Sequence, residues 1–114
     1  MPKKILIIKL GAKGDVVRTL PILPAIKEKY PDSEIYWVTK SNSLDFFEDN
    51  PYVKKAFSVP FSTNEKFDIL YNFDVEEEAA RLAREIKADK KYGFSSDSGY
   101  PKRKLCTDEI LTNS

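Results

Sequence analysis

The sequence predicts a three-layer α/β domain built on a mostly parallel sheet, and three observations lead there. The run ILII at 5–8 is unbroken, apolar and rich in β-branched residues, the composition of a strand buried on both faces. Strand-like runs then alternate with segments whose apolar residues recur every three or four positions. Finally, 114 residues at 41% hydrophobic, 12% aromatic and 32% charged suffice for one buried core, too apolar for disorder and too charged for a membrane span.

The first strand, at 5–8, is flanked by lysines and closed by Gly11 and Gly14, and its burial on both faces makes it the central strand. Val16, Val17, Leu20, Leu23 and Ile26 then mark one face of a helix that must end before Pro31. Pro21 and Pro24 interrupt it, because proline lacks the N–H of a helical bond and crowds the preceding turn, so a kink or a restart at Pro21 is expected. EIYWVT at 34–39 follows a Pro-Asp turn and completes a β-α-β unit. A short helix at 43–48, capped by Asn42 or Ser43, and a short strand at 56–59 between Pro51 and Pro60 come next. FDILYNF at 67–73 is the following long strand. Val75, Ala79, Leu82, Ala83 and Ile86 then line one face of the clearest helix, with Asp74 and Glu77 resembling a capping box. Glu76, Glu77 and Glu78 suit the positive end of that helix dipole, and Arg84 and Lys87 the negative end. A last strand is expected at 91–94, before the polar, turn-rich SSDSGYPKRK.

Composition also bounds the chemistry. With 19 basic and 18 acidic residues the net charge is +1, so no broad field of one sign gathers nucleic acid, and no nucleic-acid partner is expected. Cys106 is the single cysteine, which rules out an internal disulfide or a multi-cysteine zinc site and suits a reducing, cytoplasmic setting. Histidine is absent, removing Ser-His and Cys-His nucleophile systems and histidine metal clusters; a general base here is a carboxylate, lysine or tyrosine. The apolar stretch of MPKKILIIKL is broken at Lys9, short of a signal-peptide core or a transmembrane segment.

In open parallel sheets ligands bind beyond the carboxyl ends of the strands, and the first strand runs straight into LGAKGDVV. Gly11, Ala12, Lys13, Gly14 and Asp15 therefore belong at the ligand edge. GAKGD lacks the third glycine of a dinucleotide fingerprint and the Lys-Ser or Lys-Thr pair of a Walker loop, so neither nucleotide motif is present. Asp15 has two readings: a helix N-cap, or a carboxylate at the cleft with Lys13 beside it. Lys9, Lys13 and Arg18 cluster around the same edge and suit an anionic ligand. Trp37, Tyr36 and Tyr71 read as packing, Glu76 to Glu78 as a helix start instead of a metal site, and Lys102, Arg103 and Lys104 as a solvated run.

The segment KILIIKLGAKGDVVRTLPILPAIKEKYPDSEIYWVT resembles the N-terminal segment of family 9 glycosyltransferases, the lipopolysaccharide heptosyltransferase family. The likeness rests on the first strand, the Gly14-Asp15 pair followed by Val-Val-x-Thr-Leu-Pro, Pro24, the Tyr30-Pro31 ending and the strand from Glu34. KFDILYNFD and KKYGF continue it in order, so it spans residues 4–94. The resemblance implies a Rossmann-like domain forming the N-terminal, acceptor-side half of a GT-B fold over residues 1–114, with a C-terminal donor-binding domain absent from this chain. It implies inverting transfer of heptose from ADP-heptose to an inner-core glycolipid acceptor at the inner membrane face, without a metal or other cofactor. Asp15 falls on the family's general base, while Lys9, Gly11, Ala12, Lys13, Gly14 and Arg18 are the expected substrate-binding residues. The chain is expected to be inactive by itself, and to be cytoplasmic or peripheral at the inner membrane. It departs from the family where Val75 and three glutamates follow Asp74 in place of glycine and lysine, and SSDSG is a decoy of a donor-domain phrase. A stand-alone, non-catalytic binding module on the same scaffold is the alternative reading.

Overall fold

The computed structural model describes residues 2–93 together with the backbone of residues 95–96 and 101–102. Expectations resting on Phe94, on the side chains of SSDSG, on Lys102, Arg103 and Lys104, or on Cys106 lie outside the described side chains. Five strands form one sheet: β1 (Lys4–Ile8), β2 (Glu34–Thr39), β3 (Val53–Ser58), β4 (Lys66–Asn72) and β5 (Lys87–Gly93). Their order is β3-β2-β1-β4-β5 and every pairing is parallel. β1 is central as expected, with Ile5, Leu6, Ile7 and Ile8 all fully buried. A two-residue antiparallel ladder, β6 (Ser95–Ser96) with β7 (Pro101–Lys102), stands apart from this sheet.

Alternate residues of β1 enter separate cores, which is why the run has no polar face. Ile5 and Ile7 pack with Ile35, Trp37 and Ile69 under α1 (Lys13–Thr19) and α2 (Ile22–Lys29), through Val16, Leu23 and Ile26. Leu6 and Ile8 pack with Leu10, Val38 and Leu70 under α3 (Glu77–Glu85), through Ala79, Leu82 and Ala83. Helices thus lie on both faces of an all-parallel sheet, the Rossmann-like three-layer arrangement. No helix among the described residues is long and apolar enough to cross a membrane.

The proline-rich first crossover is two helices. Leu20 closes α1, its N–H shared between the Val16 and Val17 carbonyls at 3.2 Å each, and Pro21 at φ −59° is the N-cap of α2. Pro24 is the third residue of α2, where a backbone N–H has no intrahelical partner to lose, so the helix accepts it.

Several boundaries differ from the sequence expectation. β3 starts at Val53 instead of residue 56, because its extent is set by pairing with β2, interrupted by an irregularity between Ile35 and Tyr36. β5 begins at Lys87 instead of residue 91; this KADKKYG segment is polar and mostly exposed, and its strand character comes from the ladder with β4. The segment after β2 is a 3-10 helix, Ser41–Phe47, with Lys40 as its N-cap in place of Asn42 or Ser43. The third helix starts at Glu77 with Glu76 as N-cap, so Asp74 is not a helix cap, being bonded elsewhere.

Candidate functional site

β1, β2 and β4 end side by side at Ile8, Thr39 and Asn72, and the GAKGD loop leaves the sheet at this edge. Backbone bonds extend the ladder past the strand ends: the Lys9 N–H donates to the Val38 carbonyl at 3.1 Å, and the Phe73 N–H to the Ile8 carbonyl at 3.0 Å. The Trp37 indole, fully buried against Phe47, donates to the Lys9 carbonyl at 3.4 Å. The chain then reaches Leu10 and Gly11, whose amides point at one carboxylate: Asp74 Oδ2 accepts from them at 2.7 and 2.8 Å. Asp74 is 3% exposed, its Oδ1 accepts the Glu76 N–H at 2.9 Å, and its own N–H donates to Asn72 Oδ1 at 3.0 Å.

Beyond Gly11, Ala12 is the N-cap of α1 and its carbonyl accepts the N–H groups of Asp15 and Val16 at 2.9 and 3.1 Å. The cap reading of Asp15 is therefore overturned: the helix starts at Lys13, three residues earlier than that reading requires. Asp15 lies in the first turn, where its negative charge faces the positive helix end. Its side chain is exposed, and among the described residues its carboxylate has no hydrogen-bond or ion-pair partner. It lies against Gly11, since a Cβ built there would sit 3.2 Å from Asp15 Oδ2 and 3.3 Å from Asp15 Cβ. Around Gly14 a Cβ would meet nothing within 4 Å, so that side of the loop is open.

The fold thus brings Gly11, Ala12, Lys13, Gly14 and Asp15 together at the strand ends. The three cations behave differently. Lys9 Nζ donates to the Phe73 carbonyl at 3.0 Å and braces the neighbouring strand exit. Lys13 Nζ lies 6.0 Å from the centre of the Phe46 ring, a cation–π distance, and not against Asp15 as a salt bridge. Arg18 is exposed in the last turn of α1, three residues after Asp15. A further contact crosses the edge from Lys40 to Glu76 at 3.2 Å, both half-exposed.

Sequence reasoning did not single out Asp74 as part of this edge. Its signal was an acidic residue just beyond a buried strand, which local spacing assigned to the following helix. Gly93 was likewise passed over; its φ of +109° and its approach to Asn72 make glycine necessary at the end of β5.

No family model matches the chain. The lipopolysaccharide core heptosyltransferase OpsX of Haemophilus influenzae is 30% identical over 105 residues, a match covering 82% of this chain and 30% of that protein. A family 9 glycosyl transferase structure from Veillonella parvula superposes with a TM-score of 0.74 at 25% identity, covering 82% of this chain and 32% of that one. The chain is a relative of the family 9 glycosyltransferases. Escherichia coli heptosyltransferase WaaC, solved with ADP, shares the fold of this family 9 relative at a TM-score of 0.69 and 18% identity, over 79% of this chain and 36% of that one. The chain spans about a third or less of the length of these relatives.

Proposed function

We propose that this chain is the acceptor-side domain of an inverting family 9 glycosyltransferase, with Asp15 as general base. The single observation that carries the reading is the Asp15 carboxylate, exposed at the end of the central strand and unpartnered among the described residues. A carboxylate so placed is free to take the proton of an acceptor hydroxyl as its oxygen attacks the anomeric carbon of a nucleotide-activated heptose. The new C–O bond forms on one face of the sugar while the bond to the diphosphate breaks on the other, so the configuration inverts. Gly14 leaves room for the acceptor, and Lys13 with Arg18 supplies positive charge for acidic groups on a glycolipid core. Lys9, Gly11 and Ala12 shape the floor of that edge. The relationship to heptosyltransferases supports ADP-heptose as donor and the lipopolysaccharide inner core as acceptor. The donor is held chiefly by a second domain, and the acceptor is met at the cytoplasmic face of the inner membrane.

The test is Asp15→Asn in the full-length protein, assayed with ADP-heptose and an inner-core acceptor. Turnover should fall by roughly 10²- to 10⁴-fold, as for a lost general base. Thermal melting should change little, because the side chain is exposed, has no hydrogen-bond or ion-pair partner among the described residues, and gives up only its favourable charge at the helix start. Undiminished turnover would reject Asp15 as the base and favour a non-catalytic binding role for the domain.

A further inference from the structure

We propose that Asp74 is the positioning residue for Asp15: it clamps the backbone on which the base rests. The catalytic half of this proposal rests on the reading of Asp15 given above, while the geometric half stands without it.

Asp74 cannot itself meet a substrate, since it is 3% exposed and both oxygens are occupied by backbone N–H groups. A cap for α3 is not its role either, because Glu76 is the N-cap. Its Oδ1 bond to the Glu76 N–H is a local turn that fixes its side chain, and the Asn72 Oδ1 bond to its own N–H fixes its backbone. What remains is long-range: Oδ2 ties the β4 exit to Leu10 and Gly11, 64 and 63 residues away in sequence. Charge-assisted bonds of 2.7 and 2.8 Å to one oxygen hold those two amides more firmly than neutral acceptors would. The Lys9 ammonium on the Phe73 carbonyl is a second strut between the same two strand exits.

The restraint reaches Asp15 through the loop, since Gly11 lies four residues before it and beside its side chain. Its carboxylate lies against Gly11, close enough that a single added methyl at Gly11 would be 3.2 Å from Oδ2. A shift of the Gly11 backbone therefore shifts the carboxylate, and a misplacement of roughly 1 Å in a reacting geometry costs about 10²-fold in rate. Asparagine at position 74 offers one acceptor oxygen. It can serve either the Glu76 N–H or the loop amides, and turns its own NH₂ towards the other.

The experiment uses the full-length protein as Asp74→Asn, Gly11→Ala and Asp15→Asn variants. Each is followed by amide exchange at Leu10 and Gly11, by the side-chain carboxyl ¹³C resonance of Asp15 where that residue is retained, and by steady-state kinetics. In Asp74→Asn the two amides should exchange roughly 10- to 100-fold faster, the size of a lost hydrogen bond to a charged group. The Asp15 resonance should move, as it does in Gly11→Ala, and kcat should fall about 10- to 100-fold with donor KM unchanged. Faster amide exchange with an unmoved Asp15 resonance and unchanged kcat would overturn the proposal and leave Asp74 a structural strut. If Asp15→Asn keeps its turnover, the general-base reading fails, and the Asp15 resonance in Asp74→Asn still decides the clamp. If Asp74→Asn does not fold, Gly11→Ala carries the test, since it displaces Asp15 with the Asp74 side chain in place; unchanged kcat there would overturn the proposal.

Discussion

At Gly93 the backbone adopts φ +109°, and a Cβ there would lie 2.0 Å from the Asn72 carbonyl oxygen, a collision between backbones that no rotamer relieves. Gly93→Ala should therefore destabilise the domain by at least about 3 kcal/mol, read from the denaturant midpoint, and loosen the β4–β5 ladder first. Gly14 is the opposite case. It lies inside α1 with open space around it, so Gly14→Ala should stabilise by roughly 0.5–1 kcal/mol through helix propensity alone. A stability gain accompanied by weaker acceptor binding would mark Gly14 as a residue kept small for ligand access. Trp37 is buried on the Phe47 ring beneath the site, and Trp37→Ala should cost about 3–5 kcal/mol.

At the scale of elements, the edge strand β3 is tied to β2 by the exposed Lys54–Glu34 ion pair as well as by its ladder. The hydrogen bond from Lys54 holds the Glu34 carboxyl below its ordinary 4.5, and the same bond raises Lys54 above its ordinary 10.5. The Glu34 contribution is fully present above pH 4.5 and is lost as pH falls through the lowered folded value. The Lys54 contribution is present below pH 10.5 and is lost as pH rises through the raised one. Lys54→Met should thus lower stability slightly at neutral pH and low salt, with the difference from wild type shrinking in acid and in high salt. Urea midpoints at several pH values check this; a difference that grows on acidification would contradict it. The α1–α2 break follows from local chemistry, since Pro21 and Pro24 sit where a helix start has no N–H to lose. β3 and β5 took their boundaries from their neighbours, and their exposed lysines carry little strand signal of their own.

For the whole molecule, protection should follow the sheet order. Amides of β1, β2 and β4, paired on both sides, should exchange most slowly, with those of the edge strands β3 and β5 opening first. Native-state hydrogen exchange would test this; equal protection across all five strands would contradict it. On the proposed division of labour between two domains, the 114-residue chain alone should show no tight binding of ADP-heptose by calorimetry. Tight binding would place a donor site on this domain and reject that division.

The sequence by itself determined the fold class, the centrality of the first strand, the split first crossover and the place of GAKGD at the carboxyl edge of the sheet. These follow from short-range patterns: a strand buried on both faces must be wholly apolar, and glycines after it mark the turn. The resemblance carried by the Gly14-Asp15 segment likewise needed only local order along the chain. The tertiary structure alone decided that Asp15 is free instead of a cap, that Lys9 is spent on the Phe73 carbonyl, and that Asp74 serves the first loop instead of its own helix. A carboxylate's partners are chosen by whichever N–H groups the folded backbone leaves unpaired beside it. For Asp74 those amides lie more than sixty residues away, on a strand exit that only sheet pairing brings into reach.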